Sequence, residues 1–486
     1  MSSTELKARW YQRLRRIWVA TFAFSSQSLQ QITTFLLTLL AARYLAPAEY
    51  GVYALAALFS AFLQMLTYTG FFHYTVRAKG EEDEVADTCF WLMLGLSVTG
   101  SAILFVSAHA IAQIFDAPDL GPVLWMFSAL QPLVALTAWC SAVLMRQNRM
   151  HLHFKILMAQ NVFSLVVGVA ILVMWQSVFA LVVYRLARAL SGALLYLVFS
   201  RVRPGLSVRG SIALSALRFS YGLFGSRVLT FASTYGADLA LGLMFTTAEV
   251  GLYRFGNKIA TGAIDVVNQP MRSFAEAQFG AANRNGTAFG PTIERFGSAA
   301  LILIGCIAGT IFVFGRDIVD LFFQPEYAGA LMVAYAMSLR AMMGLGDTYV
   351  EPVLASSGHT NVVLAHSALW TAIQVAVIPL TAGFGMEVLA WTGAFVALAA
   401  SCVGFKLMSV FSGVEIRPVA VALMRATLFF AAYFLAAVAI HYAVNAEFHN
   451  AHVALFTGLF LSALAGGAIL FAAVRSKSFD LRIFAS

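Results

Sequence analysis

The sequence predicts an all-α polytopic membrane protein. It has fourteen transmembrane helices, arranged as two parallel six-helix bundles plus two C-terminal helices. Three observations carry this. The 486 residues are 60% hydrophobic and only 11% charged, with a mean hydropathy of +0.80, whereas soluble domains carry about 25% charged residues. Apolar runs of the ~20 residues needed to cross a bilayer recur along the whole chain. A hexapeptide also returns 200 residues after its first appearance.

The predicted spans are 18–42, 50–70, 88–110, 121–144, 156–175, 179–199, 217–244, 251–275, 296–315, 328–352, 362–382, 387–408, 422–444 and 453–474. Ahead of the first lies a basic segment, 1–17. The apolar run after it outlasts the ~7–15 residues of a cleavable signal sequence, so it reads as a retained span. Spans one to six form the N-terminal bundle (18–199), and 200–216 is a cytoplasmic linker. Spans seven to twelve form the C-terminal bundle (217–408). Spans thirteen and fourteen occupy 409–474, and 475–486 is a cytoplasmic tail.

Charge tests this division. With the N-terminus inside, the inner segments carry twenty Lys and Arg residues, while the outer ones carry two, Arg43 and Arg316. That asymmetry follows the positive-inside rule and places both termini in the cytoplasm. The basic excess is therefore a topology signal. No basic patch with interleaved aromatics indicates nucleic acid. Cys89, Cys140, Cys306 and Cys402 lie singly within apolar runs, and the histidines show no ligand spacing, so no metal site or disulfide framework is expected. There is no phosphate-binding loop for ATP. The run Glu81–Glu84 reads as soluble surface.

The repeat is Ala48-Glu49-Tyr50-Gly51-Val52-Tyr53 after span one and Ala248-Glu249-Val250-Gly251-Leu252-Tyr253 after span seven. Four of the six positions are identical. A weaker echo joins 114–130 to 321–337. Six spans separate the copies, an even number, so both halves point the same way across the membrane.

The segments LLAARYLAPAEYGVYALA and DLALGLMFTTAEVGLYRFGNKIA, together with the span count, resemble the polysaccharide-transporter branch of the multidrug/oligosaccharidyl-lipid/polysaccharide (MOP) exporter superfamily. The resemblance covers essentially the whole chain and is strongest at spans 1, 2, 7 and 8. It implies a Wzx-type flippase of the bacterial cytoplasmic (inner) membrane. Such a protein moves undecaprenyl-diphosphate-linked oligosaccharide outward by alternating access, for O-antigen, capsule or exopolysaccharide. Implied partners are the lipid-linked sugar, membrane lipid, and polymerase or assembly proteins. No cofactor is implied beyond coupling to H+ or Na+. The alternatives are a MATE-like ion-coupled drug or metabolite antiporter and a membrane polysaccharide polymerase. The short outer loops and the lack of a catalytic constellation argue against an enzyme.

Ionisable residues within lipid mark function, because each costs at least ~2.5 kcal/mol at the bilayer centre. Arg254, Lys258, Thr261, Asp265 and Arg272 fall on one stripe of span 8, and Arg227, Thr234 and Asp238 on one face of span 7. The repeat aligns Gln27, Thr34 and Thr38 of span 1 with that charged face. Gln27, Gln31, Thr34, Thr38 and Thr234 are thus candidate sugar-facing hydrogen-bonding groups, and interhelical glue is the competing reading. Span 6 adds Arg185 and Arg188. Span 10 adds Arg340, Asp347 and Glu351, with the two carboxylates one turn apart. Cations in the spans (Arg185, Arg188, Arg227, Arg254, Lys258, Arg340, Arg425) outnumber Asp238, Asp265, Asp347 and Glu351. That balance favours an anionic cargo, since Arg and Lys bind phosphate well. Arg227, Arg254, Lys258, Arg185 and Arg188 are the candidate diphosphate ligands. Asp238, Asp265, Arg340, Asp347 and Glu351 are left as ion pairs or coupling groups.

Overall fold

The computed structural model describes residues 32–78, 82–147 and 149–476. Nearly all of it is helix: α1 (Ile32–Tyr44), α2 (Pro47–Thr67), α3 (Gly70–Arg77), α4 (Glu82–Ile114), α5 (Leu120–Arg146), α6 (Met150–Trp175), α7 (Val178–Phe199), α8 (Gly210–Met244) and α9 (Thr247–Arg284) come first. α10 (Gly290–Phe322), α11 (Ala330–Met343), α12 (Leu345–Ser356), α13 (Thr360–Thr381), α14 (Met386–Ser412), α15 (Ile416–Glu447) and α16 (Ala451–Arg475) follow. The described parts of the predicted spans fall on helix except at the turns 68–69, in the second, and Gly344, in the tenth. Among the described residues, eleven helical stretches qualify by length and composition as membrane crossings. Only Ile32–Tyr44 of the first span is described, and α8 and α9 carry the intramembrane charges.

Contacts divide the chain into Met1–Gly251 and Leu252–Ser486. In the first unit α4 packs along α5 and α6 along α7, while α8 lies on α2, α3 and α4. Trp139, Phe127 and Tyr196 are among its fully buried side chains. The segment joining α7 to α8 is docked on α4. Gly205 N–H and the Ser207 hydroxyl both donate to Asp87, at 2.8 Å each, and the Trp91 indole donates to the Gly205 carbonyl at 3.0 Å. Glu84, from the acidic run, pairs with Arg209.

The duplicated hexapeptides have a physical reason for their residues. Glu49 accepts from Ala46 N–H at 3.2 Å, and Glu249 accepts from Thr246 N–H at 2.9 Å, so each glutamate caps the start of its own helix. Within the first unit the two glycines face each other's strands of backbone. A Cβ on Gly51 would collide with the Thr247 carbonyl, and one on Gly251 with the Pro47 carbonyl. Only glycine allows that approach.

In the second unit α10 packs against α15, α16 and α11, and α14 packs against α11, α12 and α13. Small residues make the contact of α10 with α15 close. Gly305 and Gly309 sit under Phe430 and Tyr433, and the Tyr433 and Thr310 hydroxyls are 2.6 Å apart. The two helices outside the repeat, α15 and α16, are thereby fastened to this unit. α9 contributes Ile264, Met271, Ala275 and Phe279 to the buried cluster that includes Phe296 and Tyr349.

The tenth predicted span is broken in two at Gly344. The Ser401 hydroxyl of α14 enters the break. It accepts from Asp347 N–H at 3.2 Å and donates to the Met343 carbonyl at 2.7 Å. These two groups are i and i−4 partners in an unbroken helix, so one hydroxyl replaces the lost bond, as lipid-embedded backbone demands.

Candidate functional site

Four of the five side chains of the stripe predicted on span 8 are described, and they lie on α9. Arg254, Lys258, Thr261 and Asp265 are all half-buried. Lys258 acts electrostatically on Asp265, two turns further along the same helix. The Thr261 hydroxyl is turned inward to the Asn257 carbonyl, at 2.8 Å. In the first unit Arg227 is half-buried and Asp238 is only 8% exposed. Thr38 is buried, and its hydroxyl donates to the Thr34 carbonyl of its own helix at 2.9 Å, while Thr34 is half-buried. Gln27 and Gln31 lie outside the described residues, as do the side chains of Thr234 and Arg272.

Arg185 and Arg188 occupy a different setting from Arg227. They line a cavity of about 430 Å3 enclosed by α2, α3, α5, α6 and α7, all of the first unit. Arg185 Nε donates to the Tyr53 hydroxyl at 2.9 Å, and its guanidinium lies 5.8 Å from the centre of the Tyr53 ring. Tyr53 closes the first copy of the repeated hexapeptide, so the repeat positions this arginine. Gln160 donates to the Arg188 carbonyl at 2.9 Å, and the Tyr196 hydroxyl is 2.7 Å from His153 Nδ1.

Around the break in span 10 the structure assembles a cluster that the sequence did not reveal. His366 Nε2 is 2.7 Å from Asp347 Oδ1, and the Trp370 indole donates to His366 Nδ1 at 3.1 Å. Because Nδ1 accepts, the neutral ring carries its proton on Nε2 and donates it to the carboxylate. The His366 side chain is 5% exposed and that of Asp347 44%. Arg340 donates to Gln374 at 3.4 Å, and Glu351 is exposed. Asp347 thus engages a histidine on α13 rather than standing simply as the neighbour of Glu351. The four-residue spacing of His366 and Trp370 was visible in the sequence, but their meeting with Asp347 was not. Among the described residues no group of three or more His, Cys, Asp or Glu is placed to hold a metal ion.

Comparison with known proteins agrees with this architecture. The signature of a family described as polysaccharide biosynthesis protein matches residues 40–331. The succinoglycan biosynthesis transport protein ExoT of Rhizobium meliloti (strain 1021) is 28% identical over 224 residues. That stretch is 45% of this chain and 44% of the relative, so the match spans less than half of either protein. Among solved structures, the lipid II flippase MurJ in an inward closed conformation aligns with a TM-score of 0.70 at 12% identity, covering 94% of this chain and 99% of that one. An inward-facing multidrug resistance MATE family transporter of the MOP superfamily aligns with a TM-score of 0.60 at 13% identity, covering 82% and 96%. At such identities these two likenesses describe the fold.

Proposed function

The chain belongs to the polysaccharide biosynthesis protein family, and from that premise we propose that it is a flippase for polyprenyl-diphosphate-linked oligosaccharide. It acts in the bacterial cytoplasmic membrane, by alternating access, in the assembly of a cell-surface polysaccharide. The observation that carries the reading is the half-buried cationic stripe of Arg254 and Lys258 on α9, in a chain of this family. Guanidinium and ammonium groups held within lipid attract an anion and repel cationic drugs. Arg254 and Lys258 supply charge for the diphosphate, and neutral hydroxyl and amide side chains suit the sugars. The transport names of ExoT, MurJ and the MATE transporter support a carrier rather than a polymerase.

The test is whole-cell export with protein levels matched. Arg254→Gln and Lys258→Gln are each expected to slow export about tenfold or more, the loss of one charge-assisted contact. Lipid-linked repeat units should accumulate on the cytoplasmic side. Export at the wild-type rate in the double variant would remove these residues from the site. Drug efflux without any accumulation of lipid-linked sugar would favour the antiporter.

A further inference from the structure

The cavity inside the first unit holds two guanidinium groups and, among the described residues, no carboxylate. Its polar lining includes Arg185, Arg188, Gln64, Gln160, Thr137 and Tyr196, and no described Asp or Glu lines it. Arg185 is tied through Nε to the neutral Tyr53 hydroxyl, which leaves its terminal amino groups without a carboxylate partner among the described residues. Arg188 engages its neighbours through its carbonyl, which accepts from Gln160 and from the Ser191 hydroxyl. Among the described residues its guanidinium has no hydrogen-bond or ion-pair partner. Its charge acts on Tyr68, another wall of the same cavity.

Two like charges half-buried within a helix bundle are costly unless an anion accompanies them. The two arginines are three residues apart on α7 and so share a face. The planar guanidinium fork matches the oxygens of a phosphate. About 430 Å3 lies within the ~300–1,000 Å3 of small-molecule pockets and is more than an inorganic anion fills. The remaining walls offer hydroxyls, amides and the Tyr68 and Phe72 rings, which suit a hydroxylated group attached to the phosphate.

We propose that this cavity is a phosphate-binding site of the first unit, taking a phosphate ester with a polar, hydroxyl-bearing substituent. Among the described residues its lining includes none of Arg227, Arg254 and Lys258, and the proposal does not rest on the flippase reading. The phosphate comes either from a soluble sugar phosphate or from a lipid headgroup.

The full chain in phosphatidylcholine nanodiscs is the material for the test. Glucose 1-phosphate is expected to raise the thermal unfolding midpoint, while glucose, and chloride at matched ionic strength, leave it unchanged. Replacing part of the phosphatidylcholine by phosphatidylglycerol tests the lipid source, and a rise there alone assigns the headgroup. Arg188→Gln should weaken the response about tenfold or more, and Arg188→Lys should retain part of it. Binding of radiolabelled inorganic phosphate to the wild type, displaced by glucose 1-phosphate, supplies a readout that needs no variant. The proposal is overturned if neither glucose 1-phosphate nor phosphatidylglycerol shifts the wild type and it binds no labelled phosphate. It is equally overturned if the response survives in the Arg185→Gln/Arg188→Gln double variant.

Discussion

His366 shows how a residue with no sequence signal becomes central once its partners are in place. Buried in an apolar helix, it reads as one more polar residue of α13. In the structure it is fixed from both sides, by the Trp370 indole and by the Asp347 carboxylate. Adding a second ring proton would turn Nδ1 from acceptor to donor and break the Trp370 bond. Hydrogen bonds to charged groups are worth about 1.5–3 kcal/mol, and the exposure of Asp347 puts this one at the lower end. His366→Leu is therefore expected to cost about 1.5 kcal/mol, read as a lower thermal midpoint in nanodiscs. His366→Gln keeps an N–H donor and should cost less than half as much. An equal loss in both variants would place the cost in ring packing. The intramembrane charges themselves were legible, because helical periodicity puts Arg254, Lys258 and Asp265 on one stripe without reference to any other segment. Their partners were not.

At the scale of elements, the repeated hexapeptide is the clearest case of sequence stating structure. Its glutamates cap α2 and α9, and its glycines allow two backbones to touch. Gly51→Ala and Gly251→Ala each force a methyl against a carbonyl that no rotamer change can move, so each should cost about 1–3 kcal/mol. Gly95→Ala on α4 meets no atom within 4 Å and should be neutral or slightly stabilising, since alanine orders a helix more cheaply than glycine. Thermal unfolding of the three variants compares them directly, and equal midpoints would refute the close approach. The break in span 10 was less legible. Hydropathy ran unbroken through Gly-Leu-Gly at 344–346, and the interruption depends on Ser401, more than fifty residues away, entering the helix.

For the whole molecule, the alternation of charge in the loops makes a prediction independent of any site. With native cysteines replaced, Asp119→Cys should react with a membrane-impermeant maleimide in intact cells. Leu206→Cys, on the exposed segment before α8 that loop charge predicts to be inside, should react only after permeabilisation, and the reverse pattern would invert the predicted orientation. Taken alone, the sequence determined that lipid is the solvent, where the helices run, that a hexapeptide recurs 200 residues on, and which family the chain resembles. Hydropathy, helical period and loop charge are properties of one segment and its surroundings, so they can be read locally. Only the tertiary structure decided that Arg185 is held by Tyr53, 132 residues away, that it shares a cavity with Arg188, and that Asp347 meets His366. A hydrogen bond needs two side chains within about 3 Å, and nothing in either segment records where the other will come to rest.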